Sequence, residues 1–290
     1  MRDYLMLFLR NFPHVIRESE SVRSILSHKD CRFLEKRNEK GDLIGALLYH
    51  ENTILMLCVD KPYRKQGIGG ALLQKAEEEI RAAGYSDVVI GAGFSYLAPG
   101  VPMHQPIFPS PSEVAINPPW EDHSAFFQKR GYTHNSDSNC FDLLLEPITV
   151  EATFDEDLVF TFAEERDKEA VLTMVEDAYA SFAKHYRKVE LYQKDSPKRI
   201  LLVWYQDQLA GALILSPSAD GVGRIGCVTV LKAFRGQGIA TRLVHYATHQ
   251  LALGGVKKAF VGYTYSGLEK LYGKVGYQIS SYYLKAKKRL

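Results

Sequence analysis

The chain has 290 residues, 46% hydrophobic and 24% charged, with a formal net charge of +2. That length accommodates two domains with cores of their own, and the composition is that of a folded globular protein. So small a net charge argues against general attraction to nucleic acid.

From the N-terminus, apolar positions at helical spacing (Leu5, Leu9, Val15, Ile16, Val22, Ile25, Leu26) predict two short helices over residues 3–27, broken near Pro13. The early apolar run from Tyr4 to Leu9 is too short for a secretion signal or a bilayer span, so a cytoplasmic protein without membrane attachment is expected. Arg32 to Lys36, Leu43 to Tyr49 and Thr53 to Val59 read as an antiparallel meander, with Asn38 to Gly41 as its first turn. An amphipathic helix over about 69–83 follows, with Leu72, Ala76 and Ile80 on one face, and it stops at Gly84. Val88 to Gly91 is a short buried strand.

Residues 94–120 form an insertion carrying seven of the twelve prolines, which fix φ and remove donors, so a loop is expected there and not an element. It is either a lid or a loop packed along the surface. A helix over about 121–130 and a strand from Phe141 to Leu145 complete a first domain, residues 1–147, with that strand closing its sheet. Residues 148–156 read as a linker and 157–290 as a second domain. There the order is a strand at Leu158 to Phe162, a helix from about Asp167 to Phe182, and a hairpin of Ile200 to Tyr205 with Leu209 to Leu215. A strand ending at Val230, a helix of Thr241 to Leu253, a strand at Lys258 to Gly262, a helix of Ser266 to Val275 and a strand at Tyr277 to Leu284 follow. Ser266-Gly267-Leu268-Glu269 fits a capping box. The basic run at 285–289 reads as a solvated strand end.

The four cysteines, Cys31, Cys58, Cys140 and Cys227, lack CxxC spacing, so buried free thiols are expected in place of disulfides or a bound metal.

One stretch occurs twice. Arg64-Lys65-Gln66-Gly67-Ile68-Gly69 and Arg235-Gly236-Gln237-Gly238-Ile239-Ala240 each leave an apolar strand and enter an amphipathic helix. The shift of 171 positions that superposes Arg64 on Arg235 also carries Leu72, Ala76, Ile80, Gly84 and Gly91 onto Leu243, Ala247, Leu251, Gly255 and Gly262. A whole strand–helix–strand unit is therefore repeated. At such a turn, small residues let the backbone approach a ligand, and the unpaired N–H groups of the first helical turn form an anion cradle suited to phosphate.

Both copies resemble the acetyl-CoA loop of the GNAT superfamily of N-acetyltransferases, Arg/Gln-x-x-Gly-x-Gly/Ala, and the resemblance covers most of each half. It implies two tandem α/β (α+β) domains, each a mixed, mainly antiparallel sheet flanked by helices. It also implies acetyl-CoA as acyl donor and direct attack of a primary amine on the thioester. Carried over by position, the donor would be held in the first half by Leu57, Val59, Arg64, Lys65, Gln66, Gly67, Ile68, Gly69 and Gly70. In the second half it would be held by Val228, Thr229, Val230, Arg235, Gly236, Gln237, Gly238, Ile239, Ala240 and Thr241, with Ser266 near the pantetheine arm. Leu271-Tyr272-Gly273-Lys274-Val275-Gly276-Tyr277 is similar to the family tract whose tyrosine protonates the departing thiolate, which makes Tyr272 the catalytic candidate. Its counterpart in the first half is Phe127, so that half is expected to bind the donor without catalysing transfer.

No base is marked: Glu176, Asp177 and Glu190 are within sequence reach, but charged residues there also suit a solvated face. Tyr179, Phe182, His185, Tyr186 and Tyr192 would line the acceptor side or serve as core edge. The expected acceptor is a small-molecule amine, with a protein or peptide amine as alternative, and the protein a monomer or homodimer. Rival readings are a non-catalytic acyl-CoA sensor or scaffold and, disfavoured by charge, a nucleic-acid-associated acetyltransferase.

Overall fold

The computed structural model describes residues 2–13, 19–91, 101–103, 121–133, 139–146, 148, 157–217, 221–265 and 267–290. The chain divides into two compact units, one of Met1–Phe141 with Ser280–Leu290 and one of Asp142–Ile279. The chain's last residues thus belong with the first unit, whereas the sequence reading ran the second domain to residue 290.

In the first unit, α1 (Arg2–Asn11) and α2 (Ser19–Leu26) precede β1 (Arg32–Arg37), β2 (Leu43–His50) and β3 (Thr53–Val59). The β1–β2 turn forms where expected because Asn38 Oδ1 accepts the N–H groups of Lys40 and Asp42, and Gly41 takes a positive φ of 85°. Strand β2 is buried along nearly its whole length, as a central strand covered on both faces must be. Helix α3 (Ile68–Ala82) lays Leu72, Leu73, Ala76 and Ile80 into the core. Parallel strand β4 (Asp87–Ile90) lies beside β3.

The strand that completes this sheet is not the expected one. Its order is β1-β2-β3-β4-β13, where β13 is Ala286–Arg289 at the chain's C-terminus. The basic tail is therefore no solvated strand end. Ala286 to Arg289 pair antiparallel with Ile90 to Asp87, Lys287 meets Asp87 at 2.5 Å, and Lys288 meets Glu77 at 2.6 Å. Glu77, 8% exposed on α3, also accepts the phenol of Tyr132 at 2.9 Å. A buried carboxylate needs such partners, and periodicity along α3 gives no hint of them.

Within the proline-rich insertion, Val101–Met103 forms strand β5, paired with Tyr282 to Leu284. Pro102 has no N–H to give, and an edge strand, paired on one side only, tolerates that missing donor. The rest of the insertion lies outside the described residues. Helix α4 spans Ser124–Gln128.

The second unit's strands follow the order β6-β11-β10-β9-β8-β7 within a longer sheet. Its strands are β6 (Asn139–Leu145, of which Asp142–Leu145 fall here), β7 (Leu158–Phe162), β8 (Arg199–Tyr205), β9 (Gln208–Ser216), β10 (Val222–Val230) and β11 (Lys258–Tyr265). Strand β6 thus lies beside β11 and does not close the first sheet. Helices α5 (Lys168–Tyr179), α6 (Ala183–Tyr186), α7 (Ile239–Leu253) and α8 (Glu269–Gly273) complete the unit, and β12 (Gln278–Leu284) leads out of it. Helix α8 starts three residues later than expected; the Glu269 carboxylate accepts the Gly267 N–H at 2.6 Å, while Ser266, the other half of the capping box, lies outside the described residues. Cys31, Cys58 and Cys227 are free thiols. Among the described residues, no helix is long and apolar enough to cross a membrane.

Candidate active site

The two repeated loops adopt one conformation. Lys65 and Gly67 have φ of 62° and 83°, and Gly236 and Gly238, their equivalents, have 80° and 78°. Glycine adopts this left-handed region freely; Lys65 does so at a cost of roughly 1 kcal/mol. Each arginine braces the loop from behind: Arg64 Nε donates to Val59 O at 2.7 Å, and Arg235 Nε donates to Val230 O at 3.0 Å. Gln66 and Gln237 likewise donate to the carbonyls of Pro62 and Ala233. The motif's long polar side chains therefore shape the loop, and its backbone is what faces outward.

The first helical hydrogen bonds run from Ala71 N–H to Gly67 O and from Arg242 N–H to Gly238 O. Ahead of them the N–H groups of Ile68, Gly69 and Gly70, and of Ile239, Ala240 and Thr241, have no partner within their helices. In the first unit the guanidinium of Arg130 lies over this turn, 3.1 Å from where a Cβ on Gly70 would stand, and 3.8 Å from the Phe126 ring it covers. Oriented amides, absent side chains and a cation together fit a diphosphate.

The clefts beyond the loops differ. Strands β3 and β4 pair only at Thr53–Val89 and Ile54–Ile90 and then diverge. The opening is a cleft of about 920 Å³ walled by Ile54 to Val59, Ile90, Gly91, Phe12, Phe126 and Phe127, with Glu121, Asp122 and His123 also on its lining. Leu57, Val59, Arg64, Lys65, Gly67, Ile68, Gly69 and Gly70 all border it; Gln66 does not. In the second unit β10 and β11 pair over Val222–Arg224 and Lys258–Phe260. The pocket there is about 290 Å³ and is confined to the loop end, between Val230, Arg235, Gly236, Gly238 to Thr241, Lys270, Leu271 and Lys274. Val228, Thr229, Gln237 and Tyr272 are not on its wall.

Tyr272 sits instead deep in the second unit, 7% exposed, with its ring edge-on to Tyr277. Burial, and secondarily the neighbouring Cys227, hold its phenol well above its ordinary pKa, so it stays protonated. Cys227 is the bulged residue of β10, at φ 54°, and burial pushes its thiol up to about 11. The bulge is pinned from within: Tyr186 donates to Cys227 O at 2.6 Å and Thr229 Oγ1 donates to the same oxygen at 3.0 Å. Gly211 lies against it, where a Cβ would come within 2.6 Å of Thr229 O. Tyr186 and Tyr192 are core residues, Glu176 is paired with Arg187 at the surface, and Asp177 and Glu190 are exposed. Of the expected acceptor lining, only Tyr179, Phe182 and His185 form a partly accessible aromatic group.

Sequence reasoning missed the network that sets the first loop. Arg10 and Asn11 at the end of α1 both bond Asp60, at 2.6 and 2.7 Å, and Asn11 accepts Arg64 at 2.9 Å. Arg64 also pairs with Glu121, as does Lys61 at 3.2 Å. No spacing rule joins residues 10, 60 and 121. Burial alone would raise the Asp60 carboxyl, but hydrogen bonds from Arg10 and Asn11 outweigh it and hold it below the usual range. A depressed carboxyl stabilises the fold above the unfolded value, about 3.9, and the contribution is lost as pH falls through the folded value. Protection factors of the α1 amides, with the intrinsic pH dependence of exchange divided out, should thus be steady above about pH 4 and fall below it; Asp60→Asn should show the lower protection at neutral pH too. Equal protection of the variant and the parent at pH 7 would contradict this.

Two mixed sheets, each feeding a glycine-bearing loop into a helix N-terminus, define a class of α/β domain. A model of the acetyltransferase (GNAT) family matches residues 162–277, and a model of the acetyltransferase (GNAT) domain matches residues 3–93. The chain belongs to the GNAT acetyltransferase family, as a tandem of two such domains.

Among solved structures, it is similar to the GCN5-related glucosamine N-acetyltransferase region of a fungal multi-domain β-N-acetylglucosaminidase, at a TM-score of 0.75 and 20% identity. That match covers 99% of this chain, which spans only 36% of that one. A GCN5-related N-acetyltransferase from Sphaerobacter thermophilus matches at TM-score 0.69 and 17% identity, over 99% of this chain and 91% of that one. A tandem GNAT protein from the clavulanic acid biosynthesis pathway matches at 0.68 and 14%, over 99% and 94%. Identities this low carry the fold alone. No curated protein matches the chain in sequence.

Proposed function

We propose that this protein is an acetyl-CoA-dependent N-acetyltransferase for the primary amine of a small molecule, with the donor held in the first unit. The observation that carries this reading is the 920 Å³ cleft that continues from the amide-lined loop between β3 and β4. Its size is near the upper end of ligand pockets, roughly 300–1,000 Å³, whereas the second unit's pocket is at the lower end.

When bound, acetyl-CoA supplies an activated thioester carbonyl. The N–H groups of Ile68 to Gly70, with Arg130, hold the diphosphate; the unpaired edge of β3 from Leu57 to Val59 presents main-chain donors alongside the arm. Phe127 has no proton to give. His123, an imidazole on the cleft lining, is then the candidate to accept or return a proton.

A second reading places transfer in the second unit with Tyr272 as the acid, favoured by a phenol kept protonated beside the β10 bulge. Native mass spectrometry with acetyl-CoA should find one molecule per chain, and turnover of an amine panel separates the two readings. On the first, His123→Ala lowers kcat about 100-fold, the scale of general acid–base catalysis, and Tyr272→Phe leaves it within twofold. The reverse pattern transfers the chemistry to the second unit. Binding without product on any amine returns the protein to the role of an acyl-CoA sensor.

A further inference from the structure

Away from the cleft, the first unit brings together His28, Asp30 and His50. His28 and Asp30 lie on the turn between α2 and β1, shaped by hydrogen bonds from His28 N–H to Ile25 O and from Cys31 N–H to His28 O. His50 ends β2, and the β1–β2 register, which sets Arg32 opposite Tyr49, carries it to that turn. One donor atom from each of the three lies within 4.8 Å of the others. Nδ1 of His28 is 3.9 Å from Oδ2 of Asp30, and the two imidazoles meet edge to face with centroids 5.8 Å apart.

We propose that this trio is a binding site for a divalent transition cation of the imidazole-preferring kind, with zinc as the reference ion and water in the remaining position. Two imidazoles and a carboxylate are the donor set of three-ligand zinc sites, and nitrogen donors select against magnesium and calcium, which take oxygen. Ligands about 2 Å from a tetrahedral zinc stand roughly 3.3 Å apart. The widest pair must therefore close by about 1.5 Å, a rotamer adjustment open to side chains on an accessible turn.

The fold does not require the trio. The offset of 166 that superposes Leu43-Ile44-Gly45-Ala46-Leu47 on Leu209-Ala210-Gly211-Ala212-Leu213 puts Ser216 in the place of His50. The second unit builds the same strand without an imidazole. The ion would tie the turn after α2 to the end of the β2–β3 hairpin, and because only the folded chain presents all three donors, it stabilises the first unit.

The test uses the full-length chain stripped with a chelator and titrated with zinc sulfate alone, read by calorimetry and by the thermal midpoint. One equivalent should bind and raise the midpoint. His28→Ala and His50→Ala should each weaken binding at least tenfold, whereas His185→Ala leaves it unchanged. These three side chains are accessible or half-buried, so each variant should fold, and circular dichroism before titration checks that. No zinc bound at one equivalent, or a His28→Ala/His50→Ala double variant that binds as tightly as the parent, overturns the proposal.

Discussion

Gly69→Val should strip acetyl-CoA from the first unit while leaving that unit folded. A Cβ at position 69 would make ordinary contacts, 3.5 Å from Phe126 and 3.6 Å from Val59, so the backbone accepts it. Valine in a helix is also slightly better than glycine in intrinsic propensity. Its two methyl groups, however, occupy the space over the first-turn amides, where a diphosphate must come within hydrogen-bonding distance. Charge-assisted bonds of this kind contribute roughly 1.5–3 kcal/mol each, so losing one or two weakens binding about 100-fold, or about 2.7 kcal/mol. Isothermal titration with acetyl-CoA measures it, and the thermal midpoint without ligand controls for folding. Unchanged affinity would remove the first loop from donor binding and leave the small second pocket as the remaining cradle.

The second large effect lies at the other end of the chain. Ending the protein after Leu284 should destabilise the first unit, although the deletion is nearly 200 residues from that unit's core in sequence. The truncation removes the β13 ladder with β4, the paired bonds between Thr133 and Lys287, and the Leu290 N–H bond to Ser86 O. It also strips Glu77 of Lys288. Removing one partner of a fully buried ion pair costs roughly 3–5 kcal/mol; Lys288 keeps 24% side-chain exposure, so about 2 kcal/mol is the scale here. With the lost ladder bonds at about 1 kcal/mol each, the total rivals the stability of a small domain, about 5–15 kcal/mol. Calorimetry should show the first unit's transition weakened or gone. Lys288→Met, which keeps the strand, should show the smaller loss; a truncated chain with an unaltered transition would mean β13 contributes little.

Most elements were legible because their signals are local. The alternation and turn chemistry of residues 32–59 gave β1 to β3 within a residue or two, since strand burial and an Asn-bearing turn act over short range. The repeat at a fixed shift of 171 gave both loops, and the loops share a conformation down to two positive φ angles. The arginine of the motif, which the resemblance places among the residues holding the donor, is a brace in the structure, bonded to the carbonyl five residues before it. The substitution of Lys65 for glycine conceals a left-handed residue, because a lone lysine carries no mark of its backbone angle.

What the sequence determined by itself was the duplication, the class of fold and the place of the two glycine-bearing loops, all encoded in periodicity, glycine placement and register that need only neighbours in the chain. Tertiary structure alone decided which strand closes the first sheet, which cradle opens into a deep cleft, and where Tyr272 lies relative to a pocket. Strand partnership and cleft depth depend on the divergence of β3 from β4 and on ion pairs such as Glu77 with Lys288, between residues far apart in sequence. Such contacts have no sequence period, because they form only once the chain has folded back on itself.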